Sequence, residues 1–123
     1  MITIKNGKKD LEMRFGIGQL DAIDKALGFK VRDRVELGEG LEKLVPKLES
    51  GNAIAIAKII KATTRGQQHS PKNDEELEGI LVDLIKEHGS LKKFGEIVLE
   101  DMGKNVLTQD VINNSKALEA KEI

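Results

Sequence analysis

The residues of this chain that could carry chemistry are few, and the first candidates are two glycines. Gly16 and Gly18 lie where a predicted strand gives way to a helix, as glycines do in dinucleotide-binding loops. That fingerprint requires a third glycine at position 21, which is Asp21 here, and it requires a parallel βαβ unit. Since the preceding strand belongs to a predicted antiparallel hairpin, we interpret both glycines as structural residues that let the chain turn sharply.

The two histidines, His69 and His88, are poorly placed for a metal or for catalysis. Neither has a second His or Cys at ligand spacing, and the chain contains no cysteine, so no metal site is predicted. Ser70, His88 and an aspartate could be combined into a catalytic triad, but no nucleophile elbow or oxyanion-forming turn accompanies them. The residues predict a protein that is not an enzyme and binds no cofactor; a small enzyme with an unrecognised site stays an alternative.

Composition argues against several other classes of function. The 123 residues include 20 Lys and Arg and 21 Asp and Glu, a net charge of −1, so no overall field draws the protein to nucleic acid or a membrane. Aromatic residues make up 2% of the chain, which leaves no stacking platform for bases. No apolar run approaches the roughly 20 residues of a membrane span, and the first ten residues lack the apolar core of a signal peptide. We expect a cytoplasmic protein with no nucleic-acid or membrane partner.

The first element that would position a site is an amino-terminal β-hairpin. Asn6-Gly7, between alternating apolar residues, predicts a two-residue turn with positive φ. The resulting register pairs Lys5 with Lys8, Ile4 with Lys9, and Ile2 with Leu11. It places the apolar side chains on one face, namely Ile2, Ile4, Leu11, Met13 and Phe15. Because an isolated hairpin is marginal in water, helices are expected to cover this face.

Apolar residues at helical spacing predict about five helices after the hairpin. The apolar stripes cover residues 20–27, 41–48, 53–64, 77–85 and 91–102. The first ends at Gly28, with Phe29 closing the cap, and the second contains Pro46. Gly51-Asn52 caps the third, Asn73 caps the fourth with Glu76 reaching back, and Ser90 caps the fifth. The helix with Pro46 either begins late enough to hold the proline in its first turn or kinks there. Residues 30–40 and 65–73 are expected to be loops, the former at most a frayed turn. The predicted fold class is α+β, mainly α, with the hairpin packed on this bundle.

The segment Ala53–Thr64 is the predicted centre of the fold. It is apolar nearly all round, with only Lys58 and Lys61 interrupting it, so we expect it to be the buried central helix. We interpret both lysines as residues whose aliphatic side-chain carbons lie along apolar surface while their ammonium groups are exposed to solvent.

The carboxyl-terminal residues differ from the rest of the chain. Residues 1–105 are predicted to form a single α+β domain, whereas 106–123 contain too few apolar residues to dock firmly. Thr108 can begin a last helix, but a helix of this length is marginal alone. We predict that 106–123 is loosely held or partly disordered and joins an interface through Val106, Leu107, Val111, Ile112 and Leu118; the alternative is that it packs as a sixth helix.

One order of short motifs runs through most of the chain. A hairpin "ITIKNGKK" is followed by "RFGIGQLDAIDK" and a helix ending in Leu-Gly. Further on, "KLESGNAIAIAKIIKATT" contains a Leu-x-x-Gly-Asn turn before an apolar helix, and a loop with Pro71 precedes two more helices. This order, from Ile2 to Met102, resembles the tail assembly chaperones of long-tailed phages and prophages of Gram-positive bacteria.

The resemblance implies a non-enzymatic, ATP-independent chaperone. Such proteins bind the tape measure protein, a long apolar helical polypeptide, and keep it soluble while the tail tube protein polymerises around it. The resemblance further implies self-association, a longer product made by a programmed ribosomal frameshift, action in the host cytoplasm, and absence from the mature virion. An alternative from another class is a structural virion component, such as a head-tail connector or tail-completion protein.

Overall fold

A computed structural model of the protein describes residues 2–27, 30–31, 34–35, 45–105 and 108. The strands are β1 (Ile2–Asn6), β2 (Lys9–Met13), β3 (Lys30–Val31) and β4 (Arg34–Val35). The helices are α1 (Ile17–Leu27), α2, of which residues 45–49 are described, α3 (Ala53–Thr63), α4 (Asp74–His88) and α5 (Leu91–Lys104). The fold is a mainly helical α+β arrangement with an amino-terminal hairpin, which confirms the predicted class. No helix among the described residues is both long enough and apolar enough to cross a membrane.

The hairpin is antiparallel, but its register differs from the predicted one. The observed pairs are Ile2 with Met13, Thr3 with Glu12, Ile4 with Leu11, Lys5 with Asp10, and Asn6 with Lys9. Gly7 and Lys8 therefore form the turn instead of Asn6 and Gly7, and Gly7 has φ +64. The observed register sets apolar side chains opposite each other, whereas the predicted one set Ile4 opposite Lys9. Because faces alternate with a period of two, this shift of two positions leaves every side chain on its predicted face.

The apolar face of the hairpin is buried against the helices, as predicted. β1 contacts α4, and β2 contacts α3. Ile4, Leu11, Met13 and Phe15 are at most 5% exposed. They join one core with side chains of the helices, among them Leu20, Ile23, Val45, Leu48, Ile56, Ile59, Ile60, Leu77, Ile80, Leu84, Phe94, Val98, Leu99 and Met102.

α3 is the centre of the helical part, but only one side of it is buried. It contacts α1, α4, α5 and β2, and Ile56, Ile59 and Ile60 on its inner side are completely buried. Its outer side is open to solvent, where Ile54 is 70% exposed. The prediction of a buried central helix is confirmed for its inner side, and Lys58 and Lys61, which interrupt the apolar pattern, are exposed.

Each predicted cap between the later helices is present. The side-chain oxygen accepts a hydrogen bond from the backbone N–H three residues on: Asn52 from Ala55 at 3.0 Å, Asn73 from Glu76 at 2.8 Å, and Ser90 from Lys93 at 3.1 Å. The Glu76 carboxylate also reaches back, although it accepts from the N–H of Lys72 at 3.2 Å rather than from the cap residue itself. These bonds satisfy donors that would otherwise be unpaired at the helix starts.

Side-chain amides tie the loop 65–73 to the hairpin. Gln67 accepts from the backbone N–H of Glu12 at 3.0 Å and donates to the same residue's carbonyl at 2.6 Å. Asn6 donates to the carbonyl of His69 at 3.0 Å and to Glu76 Oε1 at 3.1 Å. Gln67 thereby takes the place of a neighbouring strand along the free edge of β2.

Two predictions for residues 28–49 are tested only in part. The expected loop 30–40 contains a short antiparallel ladder, with Lys30 opposite Val35 and Val31 opposite Arg34, so the expectation of a loop is wrong there. β-branched residues such as Val31 and Val35 favour extended pairing. The cap at Gly28 and Phe29 and the start of the helix containing Pro46 lie outside the described residues.

The carboxyl end of α5 is closed by a residue beyond the predicted domain boundary. Thr108 is completely buried; its hydroxyl donates to the carbonyl of Met102 at 2.5 Å, and its N–H donates to the carbonyl of Asn105 at 3.1 Å. The packed part of the chain thus reaches Thr108, three positions past residue 105. A helix beginning at Thr108 would occupy residues outside those described.

Candidate protein-binding surfaces

The structure separates the side chains that a catalytic triad would need. Ser70 precedes α4 and His88 is its last residue, and a helix of 15 residues is about 22 Å long. The His88 ring packs instead against Phe94, with ring centroids 5.6 Å apart. In the described part of the chain, no group of three or more His, Asp or Glu is placed to hold a metal ion.

Gly16 and Gly18, the glycines predicted to let the chain turn sharply, do not adopt the left-handed backbone conformation. Gly16 directly precedes α1, and its carbonyl accepts from the N–H of Leu20 at 2.9 Å, so it stands at the N-cap position. Gly18 lies in the first turn of α1, and a Cβ there would meet no atom within 4 Å. Neither residue is among the glycines with positive φ in the described part of the chain, which are Gly7, Gly51, Gly66 and Gly89.

A groove between α1 and α3 is lined by small residues and by cations. Ala22, Ala26 and Ala62 form its apolar lining, Lys58, Lys61 and Arg65 complete it, and its volume is about 370 Å³. We call it the cationic groove. Its lysines are those that interrupt the apolar pattern of α3, three residues apart on one side of the helix, and Arg65 follows in the turn just after the helix ends. That spacing, together with Ala22 and Ala26 four residues apart on α1, is the sequence signal that would have predicted the groove.

The cations of this groove make no ion pair within the described residues. The Lys58 ammonium donates a long hydrogen bond, 3.4 Å, to the carbonyl of Ala26 across the groove. Lys58, Lys61 and Arg65 are all exposed. Three neighbouring cations therefore raise the local positive potential on a chain whose net charge is −1.

A second cleft, of about 500 Å³, lies where β2 leads into α1 and faces the end of α5. Its lining includes Arg14 and Phe15 on one side and Asp101, Lys104 and Asn105 on the other. Asn105, the C-cap residue of α5, is part of this lining, and Val106 is the next residue in the sequence. The predicted interface residues Val106, Leu107, Val111, Ile112 and Leu118 lie outside the described residues.

Large apolar side chains are exposed at several places on the helical surface. Ile17 and Ile54 are each 70% exposed, and they lie at the amino-terminal ends of α1 and α3. Val82, Ile85 and Ile97 on α4 and α5 are 38–42% exposed. Exposed apolar residues on a highly charged surface are what a protein needs in order to bind apolar segments of another protein.

Comparison with known proteins identifies one family. A family model described as phage tail assembly chaperone protein, TAC, matches residues 2–116. The match includes the stretch 30–40 and continues past Met102, where the sequence resemblance ended. No curated protein and no solved structure matches the chain.

Proposed function

The chain belongs to the family of phage tail assembly chaperone proteins, and from this premise we propose that its client is the tape measure protein. The chaperone binds this long apolar polypeptide and keeps it soluble while the tail tube protein assembles around it. The observation that carries the proposal is the family match over residues 2–116. It is supported by the exposed isoleucines on a surface that is otherwise rich in charge.

The proposal extends to where and how the protein acts. It works in the cytoplasm of a Gram-positive host, during assembly of a long-tailed phage or prophage, and it does not stay in the mature virion. A longer form arises by ribosomal frameshifting near the end of the reading frame. Its role is non-catalytic, because binding apolar segments requires exposed surface and no reacting groups.

The client surface includes the carboxyl-terminal segment. Val106, Leu107, Val111, Ile112 and Leu118 supply apolar side chains there, and the segment starts beside the cleft near Asn105. Arg14, Asp101 and Lys104 on the cleft rim are placed to contact polar residues that flank an apolar stripe. Thr108 is buried and its hydroxyl closes the end of α5, and three of the proposed contact residues, Val111, Ile112 and Leu118, follow it in the sequence.

The test uses two truncations and the tape measure protein of the same phage. A chain ending at Thr108 keeps the hydroxyl that closes α5, so its melting temperature should match that of the full chain, while co-purification with the tape measure protein is weakened because Val111, Ile112 and Leu118 are absent. A chain ending at Gly103 lacks this bond and should melt lower, which makes it a poor probe of binding. The soluble fraction of co-expressed tape measure protein is the readout.

Two results would contradict the proposal. If the full chain leaves the solubility of the tape measure protein unchanged, the tape measure protein is not the client. If the protein is retained in purified virions, it is a structural component such as a connector or tail-completion protein. If the chain ending at Thr108 binds the client as well as the full chain does, the client is correct but Val111, Ile112 and Leu118 are not part of its surface.

A further inference from the structure

The Asn6-Gly7 dipeptide at the hairpin turn is a motif that the proposed function does not use. Asn6 is the last residue of β1 and is half-buried, whereas Gly7 follows it in the exposed turn. A Cβ built on Gly7 would meet no atom within 4 Å, so water has free access to this turn. Glycine has no side chain to hinder its backbone nitrogen from attacking the side-chain amide of a preceding asparagine. Asn-Gly is therefore the dipeptide in which asparagine deamidates fastest.

Deamidation at this dipeptide needs only water as a co-reactant. The Gly7 nitrogen bonds to Cγ of Asn6, the Cγ–Nδ2 bond breaks, and ammonia leaves with the proton that the Gly7 nitrogen gives up. Water then opens the resulting five-membered imide. Opening at the side-chain carbonyl gives aspartate at position 6, and opening at the main-chain carbonyl gives isoaspartate, in which the chain continues through Cγ.

The folded hairpin holds Asn6 in an arrangement that this reaction cannot use. Its Nδ2 group donates to the carbonyl of His69 at 3.0 Å and to Glu76 Oε1 at 3.1 Å, and we call these two bonds the Asn6 tie. Pairing with Lys9 fixes the backbone of Asn6 as extended strand, and the imide ring cannot close at the ψ of an antiparallel strand. The reaction therefore proceeds from a locally opened hairpin end, whose population depends on the stability of these contacts.

The product of the reaction cannot remake the Asn6 tie. A carboxylate at position 6 has no N–H to donate, and it faces two acceptors, the His69 carbonyl and the Glu76 carboxylate. Lys9 and Lys72 line the same small pocket and offset part of the repulsion, but they do not replace the donor that the two acceptors have lost. Isoaspartate also adds one carbon to the main chain at the end of β1, where pairing with Lys9 requires the ordinary spacing.

We propose that Asn6 is a deamidation site that the folded protein protects through the Asn6 tie, and that deamidation frees the turn end of the hairpin from the start of α4. The step runs in one direction only, because the ammonia is lost and the product repels its former partner. The site thus limits how long a folded copy keeps this end of the hairpin attached. The inference concerns the chain's own residues and holds whichever client the protein binds.

The rate of deamidation tests the protection. The full chain is incubated at neutral pH, both folded and unfolded in guanidinium chloride, and conversion at Asn6 is followed by peptide mapping with mass spectrometry. Conversion should be at least about tenfold slower in the folded chain. In the unfolded chain Asn6 should react faster than Asn52 and Asn73, which precede alanine and aspartate and serve as internal controls. Glu76→Ala removes one acceptor and should speed conversion in the folded chain, whereas Glu76→Gln keeps a carbonyl oxygen there and should leave conversion slow.

The melting temperature tests the consequence of the reaction. Asn6→Asp reproduces one product and should lower the melting temperature by about 4 °C or more. Adding Glu76→Gln to this variant supplies an N–H opposite the new carboxylate, so the two side chains can bond with donor and acceptor exchanged. The double variant should therefore recover most of the loss. Glu76→Gln alone is the matched control, because it removes the same charge while Asn6 stays, and it should melt close to the parent.

Several results would overturn the inference. Conversion of Asn6 at equal rates in the folded and unfolded chains would show that the fold gives no protection, as would a folded Glu76→Ala variant that converts no faster than the parent. Conversion of Asn6 no faster than that of Asn52 in the unfolded chain would exclude the site itself. An Asn6→Asp variant as stable as the parent, or one that Glu76→Gln does not restore, would show that deamidation does not break the Asn6 tie as proposed.

Discussion

The substitution Gly95→Ala probes the closest approach of two helices in the fold. Gly95 is buried in α5, and a Cβ built on it would overlap the carbonyl oxygen of Leu48 in α2 and lie 2.9 Å from its carbonyl carbon. The obstructing atoms are backbone, so no side-chain rotation can relieve the contact. α5 would have to move away from α2 by about 1 Å to restore normal van der Waals separation.

The size of the effect follows from two opposed contributions. In an unobstructed helix interior, Gly→Ala is favourable by about 1 kcal/mol, because alanine loses less backbone entropy on folding. Overpacking a well-packed core costs about 1–3 kcal/mol, and the upper end applies where backbone must move. We expect Gly95→Ala to lower the free energy of unfolding by about 1–2 kcal/mol, which corresponds to about 4 °C in melting temperature for each kcal/mol.

Gly79→Ala is the matched control, since Gly79 is also helical but a Cβ there meets nothing within 4 Å. It should raise the free energy of unfolding by about 0.5–1 kcal/mol. Urea unfolding followed by far-ultraviolet circular dichroism, at low protein concentration, measures both variants. Equal stabilisation by the two substitutions would refute the packing of α5 against α2, because it would show that space exists at Gly95.

Three further substitutions test the core, the loop and the turn by the same assay. Ile60→Ala should lower the free energy of unfolding by about 2–5 kcal/mol, whereas Ile54→Ala, on the exposed side of α3, should lower it much less. Similar losses of stability in the two variants would contradict the assignment of the buried side. Gln67→Glu should cost about 1–3 kcal/mol because it sets a carboxylate against a backbone carbonyl of β2, whereas the exposed Gln68→Glu should be neutral, and an equal effect would contradict the tie to the hairpin. Gly7→Val should cost about 1–2 kcal/mol because Gly7 has φ +64, and an unchanged melting curve would contradict the turn.

Helix boundaries and buried faces were largely readable from the sequence. Asn52, Asn73 and Ser90 cap the helices they were predicted to cap, and the apolar face of the hairpin is the predicted one. These features depend on interactions between residues a few positions apart, so a local pattern carries the information. The family was likewise apparent as an order of such local motifs, which the family match bears out.

What the local pattern could not decide depends on residues far apart in the chain. Asn6 was predicted inside the turn, but it stands beside the turn and bonds to Glu76, 70 positions away, and Gln67 bonds to Glu12 across 55 positions. The cationic groove requires alanines of α1 to lie beside cations of α3, and the need for glycine at position 95 exists only because α2 crosses there. The amino-acid order determined which residues form each helix and which side of it is apolar. The docking of the helices decided the register of the hairpin, the hydrogen bonds of Asn6 and Gln67, and the surfaces left for partners, because these features require groups that only folding brings together.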